Sequence, residues 1–356
     1  MPPARAEPAQ GVTAVNRGGD HRVENRVVSQ GHAVVLHAEP RQNACVDLIG
    51  VREDIRAALA DGRPVVALES SVIAHGLPSP VNVRVAHSLE DAVRVAGAIP
   101  ATIGVIAGRV QVGLEPEEIE RLGGAGEILK CAAGDLGWGL AQGADGATTV
   151  SATVFAAAAV GIDVVATGGI GGVHRGDTGD VSADLLSLAR HPVAVVAAGA
   201  KSILDLPRTL EALETLGVPV VGLGTRDFPA FYARSSGLVL DKHTERAEDI
   251  ARFCLIRWRR LRQSGGVLVA CPCPEQHALE ASEVEQATAR ALRDAAAHDV
   301  KGKRLTPWLL AAVTESLGAR TLAANHALLL NNARVAASIA TTLCELSAAS
   351  TFLKGH

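Results

Sequence analysis

Four short stretches hold side chains whose type and spacing could do chemistry, and each adjoins an apolar run. Glu69 closes the run VVALE and is followed by Ser70, Ser71 and His75. A carboxylate at the end of a buried strand could serve as a general acid. It could equally cap the next segment or pair with an arginine. Lys201 follows VAVVAAGA, with hardly a polar side chain before it. Such a lysine is a candidate amine nucleophile able to form a Schiff base. The alternative is a structural lysine, its stem laid along apolar surface and its head in water.

The third stretch is Thr167-Gly168-Gly169-Ile170-Gly171-Gly172-Val173-His174-Arg175-Gly176. Its glycines would let backbone amides approach an anion, or they make a tight structural turn. The spacing is neither GxGxxG nor that of a P-loop. Just downstream, Asp177, Asp180 and Asp184 supply carboxylates suited to a hard divalent cation that keeps several waters. Capping of the helix ADLLSLAR by Ser or Asp would account for the same residues. The fourth stretch runs from Gly146 to Thr153 and places Thr148, Thr149 and Ser151 at a helix start. That is a phosphate cradle or an ordinary cap. Two other patterns carry less. Cys271-Pro272-Cys273 with His277 lacks a fourth ligand and the usual zinc spacing. Asp177-Thr178-Gly179-Asp180 falls short of the Gly-Ala-Gly-Asp turn of ribokinase-like sugar kinases.

The elements that must position these residues are legible from periodicity. A helix-like run from Asp47 to Gly62 precedes VVALE; ATIGVIAG, IDVVATGG, VAVVAAGAK, VPVVGLGT and GGVLVACP follow, each a short apolar run closed by Gly, Pro or a polar residue. Continuous apolar runs of this length read as strands buried on both faces. Between them lie helical stretches such as VNVRVAHSLEDAVRVAG, TTVSATVFAAAAVG, ADLLSLAR and SILDLPRTLEALETLG. The alternation predicts an α/β fold with a mostly parallel or mixed central sheet. Three long helices after residue 275 are expected to cover one face of it. Ligands in such sheets collect outside the carboxyl ends of the strands, where all four stretches fall.

Composition narrows the function. The 356 residues are 48% hydrophobic and 20% charged, enough apolar surface for one large domain, expected over residues 49–350. Residues 1–48, rich in Pro, Arg, Gly, His and Gln without periodicity, read as a disordered extension. A net charge of -4 and 3% aromatics argue against a nucleic-acid surface. Six cysteines without a CxxC pair suit a reducing, cytoplasmic setting, and neither a signal peptide nor a run of membrane-span length is evident.

Taken together, the blocks PVVALESSVIAHGLPSP, PATIGVIAG, GATTVSAT, ATGGIGGVHRG, SADL, AGAKSILDL, GVPVVGLGT, PEQ and NNA occur in one order over roughly residues 50–345. In this the chain resembles the pseudouridine-5'-phosphate glycosidase family, also called the indigoidine synthase A-like family. The resemblance implies a three-layer α/β/α sandwich, a homotrimer and a divalent metal, usually manganese. It also implies reversible cleavage of pseudouridine 5'-phosphate to uracil and ribose 5-phosphate, with no nucleic-acid or membrane partner. Residue by residue, it implies Glu69 as the acid/base, Lys201 as the nucleophile and Asp180 as the metal ligand. Lys130, Val150, Ser182, Ala183 and Asp184 become substrate contacts, and Thr149, His174 and Asn332 pocket residues. The chain departs from the family pattern in three places. The loop from Gly176 to Asp180 is shorter, Cys271 replaces an asparagine, and Gly134 replaces a basic residue. The competing readings are a Schiff-base aldolase or lyase on another sugar phosphate, a ribokinase-like phosphotransferase and a non-catalytic pigment-pathway accessory protein.

Overall fold

The computed structural model describes residues 48–352 except 125, 177 and 178. The N-terminal extension, apart from Leu48, lies outside the described residues, as does Asp177. The strands are β1 (Ile49–Val51), β2 (Val65–Glu69), β3 (Ile99–Ile106), β4 (Arg109–Val112), β5 (Leu129–Cys131), β6 (Gly146–Thr148), β7 (Val164–Ala166), β8 (Ala194–Ala197), β9 (Val220–Leu223), β10 (His243–Thr244) and β11 (Val267–Ala270). The helices are α1 (Glu53–Ala60), α2 (Val81–Val95), α3 (Pro116–Gly123), α4 (Leu136–Ala141), α5 (Val150–Val160), α6 (Ala183–Arg190), α7 (Leu206–Thr215), α8 (Ala247–Leu255), α9 (Ala281–Ala297), α10 (Leu305–Leu317) and α11 (Ala319–Phe352).

The sheet runs in the order β1-β4-β3-β2-β7-β8-β11-β9-β10, with β6 branching from β3 and β5 from β6. From β3 through β10 along that order every pairing is parallel. The β3–β4 and β3–β6 pairings are antiparallel. The sheet is therefore mixed, with a parallel heart and helices on both sides. All residues of β2, β7, β8 and β11 are buried, which is why their sequences read as unbroken apolar runs. On one side α5 packs on β2, β3 and β7 and on α6; on the other α11 crosses β2, β7 and β8 and packs on α2 and α8.

Three sequence expectations change. The helix-like run from Asp47 begins as a strand: Ile49–Val51 pairs with Val110–Val112 at the sheet edge, and helix α1 starts only at Glu53. Three residues of edge strand are too few to show a period of two. The β3–β4 hairpin turns on Ala107 and Gly108, both at positive φ, without the Asn-Gly or Asp-Gly pair that would announce it. Of the three C-terminal helices only α11 lies on the sheet; α9 and α10 pack mainly on each other and α10 on α11. An 18-residue window of α11 is apolar enough for a membrane span by composition, and half of it is buried against this sheet and its helices.

The two loops that matter most leave β7 and β8 and stay in register past the strand ends. Ala198 N–H donates to Gly168 O (2.8 Å), Ile170 N–H to Gly199 O (3.1 Å) and Lys201 N–H to Ile170 O (3.0 Å). Gly199 makes this possible, with φ +71° and a position where a Cβ would lie 2.1 Å from the Pro229 carbonyl oxygen. Gly217, at φ +68° after α7, has open space around it instead. Gly217→Ala should cost about 1–2 kcal/mol from backbone strain alone. Gly199→Ala adds overpacking and should cost about 3 kcal/mol or more. Urea denaturation of the two variants checks the difference.

Candidate active site

A cavity of about 870 Å³ lies over the carboxyl ends of β2, β7 and β8. Of the residues expected there, Glu69, Lys130, Thr149, His174, Asp180, Ser182, Ala183, Asp184 and Lys201 all line it. Val150 and Asn332 do not. Val150 is buried as the first residue of α5. Asn332 is fully buried in α11, where its Nδ2 donates to the Thr167 carbonyl (2.8 Å).

Glu69 is the last residue of β2 and only 8% exposed. Its Oε2 accepts from the Ser71 hydroxyl and its Oε1 from the Thr167 hydroxyl. No arginine pairs with it among the described contacts, so the carboxylate is held by neutral donors at the cavity wall. Lys201 is half-buried on the β8 loop and reaches the same cavity. The two groups that the sequence singled out for chemistry, 132 residues apart in the chain, share one enclosure because their strands are separated only by β7.

The Gly-rich stretch is a packed crossover. Besides Ile170, Gly171 N–H donates to Asp184 Oδ2 (2.8 Å), Val173 N–H to Thr209 Oγ1 (3.0 Å) and His174 N–H to Asp180 O (3.0 Å). These amides are spent inside the protein, which favours the structural-turn reading over the anion nest. A Cβ on Gly171 would lie 2.3 Å from Ser182 Oγ, so only glycine fits against the start of α6. Ser182 itself caps α6, accepting from Asp184 N–H (3.2 Å).

The other anion candidate is the start of α5. Its amino terminus opens on the cavity beside Thr149 and Ser151, with the half-buried Lys130 of β5 also in the wall. A helix amino terminus and an ammonium group in one wall are features that suit a phosphate, and the Ser151 amide of that terminus is already given to Asp184 Oδ1. Thr149 Oγ1 and Ser151 Oγ lie 2.9 Å apart, and Ser151 Oγ also accepts from Ala133 N–H. Burial pushes the His75 pKa below 6.5, and Lys130 adds to the effect. For His174, burial again lowers the pKa; Asp180 opposes it, and Lys201 and Lys130 add to it. Both histidines are therefore biased towards the neutral form beside the two lysines.

Asp180 lies 3.9 Å from His174 Nε2 and is about one-third exposed. Among the described residues no three His, Cys, Asp or Glu side chains converge on a cation position. Asp184, also in the wall, has each oxygen already accepting one backbone bond, Oδ1 from Ser151 N–H and Oδ2 from Gly171 N–H. The donor set fits a divalent ion held through one carboxylate and otherwise hydrated, not one in a dedicated protein cage.

The roof of the cavity was not legible. It comes from Thr306, Pro307, Leu310, Thr314 and Glu315 around α10, from Asn325 and Leu329 of α11, and from Phe231 and Tyr232. Tyr232 is pushed up to about 12 by burial, against a hydrogen bond with Thr314. A carboxamide within the otherwise apolar run TLAANHALLL was the one signal that could have marked Asn325. Cys271, a departure from the family pattern, lines a separate crevice of about 560 Å³ beside α8 and not this cavity. It and Cys273 are core thiols pushed up to about 12 and about 11 by burial, unlike metal-binding thiolates.

The lowered histidines have a pH consequence. His75, His174 and His191 all have pKa values depressed in the fold, chiefly by burial. The unfolded chain then binds more protons below pH 6.5, so their contribution to stability is full above that pH and is lost as pH falls towards the folded values. The urea midpoint should drop between pH 7 and pH 5, and His75→Gln should flatten the slope.

The family model described as indigoidine synthase A like protein matches residues 54–342. A pseudouridine-5'-phosphate glycosidase of Caldanaerobacter subterraneus subsp. tengcongensis is 50% identical over 300 residues, covering 84% of this chain and 97% of its own length. One of Chloroflexus aurantiacus is 52% identical over 304 residues, covering 84% and 100%. Among solved structures, the prealnumycin C-glycosynthase AlnA in complex with ribulose 5-phosphate superposes with a TM-score of 0.79 at 40% identity, over 85% of this chain and 99% of that one. An indigoidine synthase A-like protein of Thermotoga maritima gives 0.76 at 34% identity, over 83% and 97%.

Proposed function

The chain belongs to the indigoidine synthase A like family, and from that premise we propose that it is a pseudouridine-5'-phosphate glycosidase, cleaving and re-forming the carbon-carbon bond between uracil and ribose 5-phosphate. The observation that carries this reading is the convergence of Glu69, Lys201 and the Lys130–α5 anion site in one cavity. A carbon-linked base has no exocyclic oxygen to protonate, so the two-carboxylate scheme of ordinary glycosidases has no leaving group to act on. An amine and one acid, with a phosphate anchor at a distance, suit the problem better.

In the proposed sequence the 5'-phosphate sits at the α5 terminus with Lys130, fixing the sugar in place. Glu69 gives a proton to the ring oxygen as the C1'–oxygen bond opens, and Lys201 Nζ bonds to C1'. The C1'–C5 bond then breaks, its electron pair passing into the uracil ring, which takes a proton at C5. The sugar remains as an imine on Lys201. Water hydrolyses the imine, so pseudouridine 5'-phosphate and water give uracil and ribose 5-phosphate. Asn325, which lines the cavity and whose carboxamide offers both a donor and an acceptor, would read the amide edge of the base. Asp180 would hold a hydrated divalent ion, manganese by family resemblance, which supplies charge to orient the sugar or base. A homotrimer and a cytoplasmic location complete the proposal.

Uracil release from pseudouridine 5'-phosphate, followed by absorbance and confirmed by product mass, tests the reaction, with chelator and added manganese testing the metal. Lys201→Ala should abolish both turnover and the borohydride-trapped ribose 5-phosphate adduct. Glu69→Gln should lower kcat by about 100- to 10,000-fold. Asn325→Ala should act mainly on KM. A trapped adduct surviving at another lysine would overturn the role of Lys201, and release of a product other than uracil would favour the aldolase reading. Light scattering decides the trimer.

A further inference from the structure

Thr167 and Asn332 take no part in the scheme above, yet both are buried directly behind the acid. Thr167, the first residue past β7, is 2% exposed, and each of its polar atoms is engaged. Its N–H donates to Val196 O (3.0 Å), its hydroxyl donates to Glu69 Oε1, and its carbonyl accepts from Asn332 Nδ2 (2.8 Å). Asn332 Nδ2 lies 3.4 Å from Gly168 O as well, while Asn332 Oδ1 is buried with no partner among the described residues. A buried acceptor without a donor costs about 1–3 kcal/mol. Core stability alone therefore does not account for an amide at this point of α11; its satisfied half acts on the β7 loop.

We propose that Thr167 and Asn332 are positioning residues for Glu69, an inference that rests on reading Glu69 as the acid. The carboxylate has two hydroxyl donors, and they are not equivalent. Ser71 belongs to the same strand end as Glu69 and moves with it. Thr167 belongs to the neighbouring strand and holds Oε1 against the rest of the sheet. Asn332 in turn fixes the Thr167 carbonyl from the helix layer, so that α11, β7 and β2 together determine where the acidic oxygens point. The Thr167 hydroxyl is already donated to Oε1, which leaves the proton for the ring oxygen to Glu69 itself. Misplacing that carboxylate by about 1 Å can cost on the order of 100-fold in rate.

The test compares Thr167→Val, which keeps the volume and removes the hydroxyl, with Thr167→Ser, which keeps the hydroxyl. With pseudouridine 5'-phosphate, the valine variant should lose about 10- to 100-fold in kcat with KM changed by less than about threefold. The serine variant should keep most of the wild-type kcat. Asn332→Leu removes both the donor and the orphaned acceptor. It exchanges the orphaned Oδ1 for an unpaired Thr167 carbonyl, so it should melt near the wild-type temperature and still lose about 10-fold in kcat, a combination that a purely structural role does not give. Wild-type kcat in Thr167→Val, an equal loss in Thr167→Ser, or full activity in Asn332→Leu would overturn the inference alone. Absence of uracil release by the wild-type protein would instead overturn the reading of the reaction, and this inference with it.

Discussion

The carboxylate of Asp184, 4% exposed at the start of α6, is shared between two backbone amides. Oδ1 accepts from Ser151 N–H at the amino terminus of α5, and Oδ2 from Gly171 N–H in the β7 crossover. One side chain thus joins three elements that otherwise meet only at their ends, and it does so at the floor of the cavity. A shift of α5 or of the crossover would leave one oxygen and one amide buried and unpaired, and a shift of α6 would do so for both pairs, at a cost of about 1–3 kcal/mol for each group. The Gly171 backbone comes so close to Ser182 and Asp184 because it carries no Cβ. The anion site, the crossover that carries His174 and the loop that carries Asp180 hold their relative places through this carboxylate.

A second layer of hydroxyls stiffens the same floor. Thr148 N–H donates to Ser70 Oγ (2.8 Å), Thr148 Oγ1 donates to Ile103 O (2.6 Å), and Thr153 Oγ1 donates to Thr148 Oγ1 (2.9 Å). Ser70, Thr148 and Thr153 are all fully buried. They link the strand end that bears Glu69 to the start of α5. Buried polar networks of this kind are costly when half-satisfied and rigid when complete. The hydroxyl-rich motifs ESS and GATTVSAT therefore serve mostly to fix geometry. Only Thr149 and Ser151 of the second, with Ser71 of the first, reach the cavity wall.

That division explains how much was legible in the sequence. Glu69 and Lys201 stood out because a polar residue closing an apolar run must emerge at a strand end, and strand ends of a parallel sheet share one edge. The parallel heart of the sheet was legible for the same reason. Asp184 was expected as a ligand contact because carboxylate, serine and glycine in one loop suit a cation as well as a cap. Only the distances to Ser151 and Gly171 show that each of its oxygens also holds a backbone amide. Asn332 was misplaced in a similar way, since a polar residue in an apolar helix can face a cavity or a backbone carbonyl, and its neighbour by two turns, Asn325, is the one in the wall. Strands β1, β5 and β6, at three residues each, are shorter than any period can reveal.

Floor and roof are held by different forces. The floor rests on buried hydrogen bonds whose loss leaves orphaned groups. The α9–α10 pair that closes the cavity is held by apolar packing, with Val284, Ala287, Leu309 and Val313 buried in the main core and α10 against α11, and its margin carries the ion pairs of Arg175 with Glu285 and Arg320 with Glu283. Both glutamates are substantially exposed, 58% and 42% by side chain. Arginine–carboxylate pairs in water contribute only about 0.2–1 kcal/mol each and weaken with salt. Arg175 also donates to Leu204 O (3.0 Å) and Ser202 O (3.1 Å), so the better-buried end of its pair belongs to the floor. Local opening follows the weakest attachments. The exposed pairs at the margin of the roof are therefore its weakest contacts, and Arg175 keeps its bonds to the loop that carries Lys201 when Glu285 lets go.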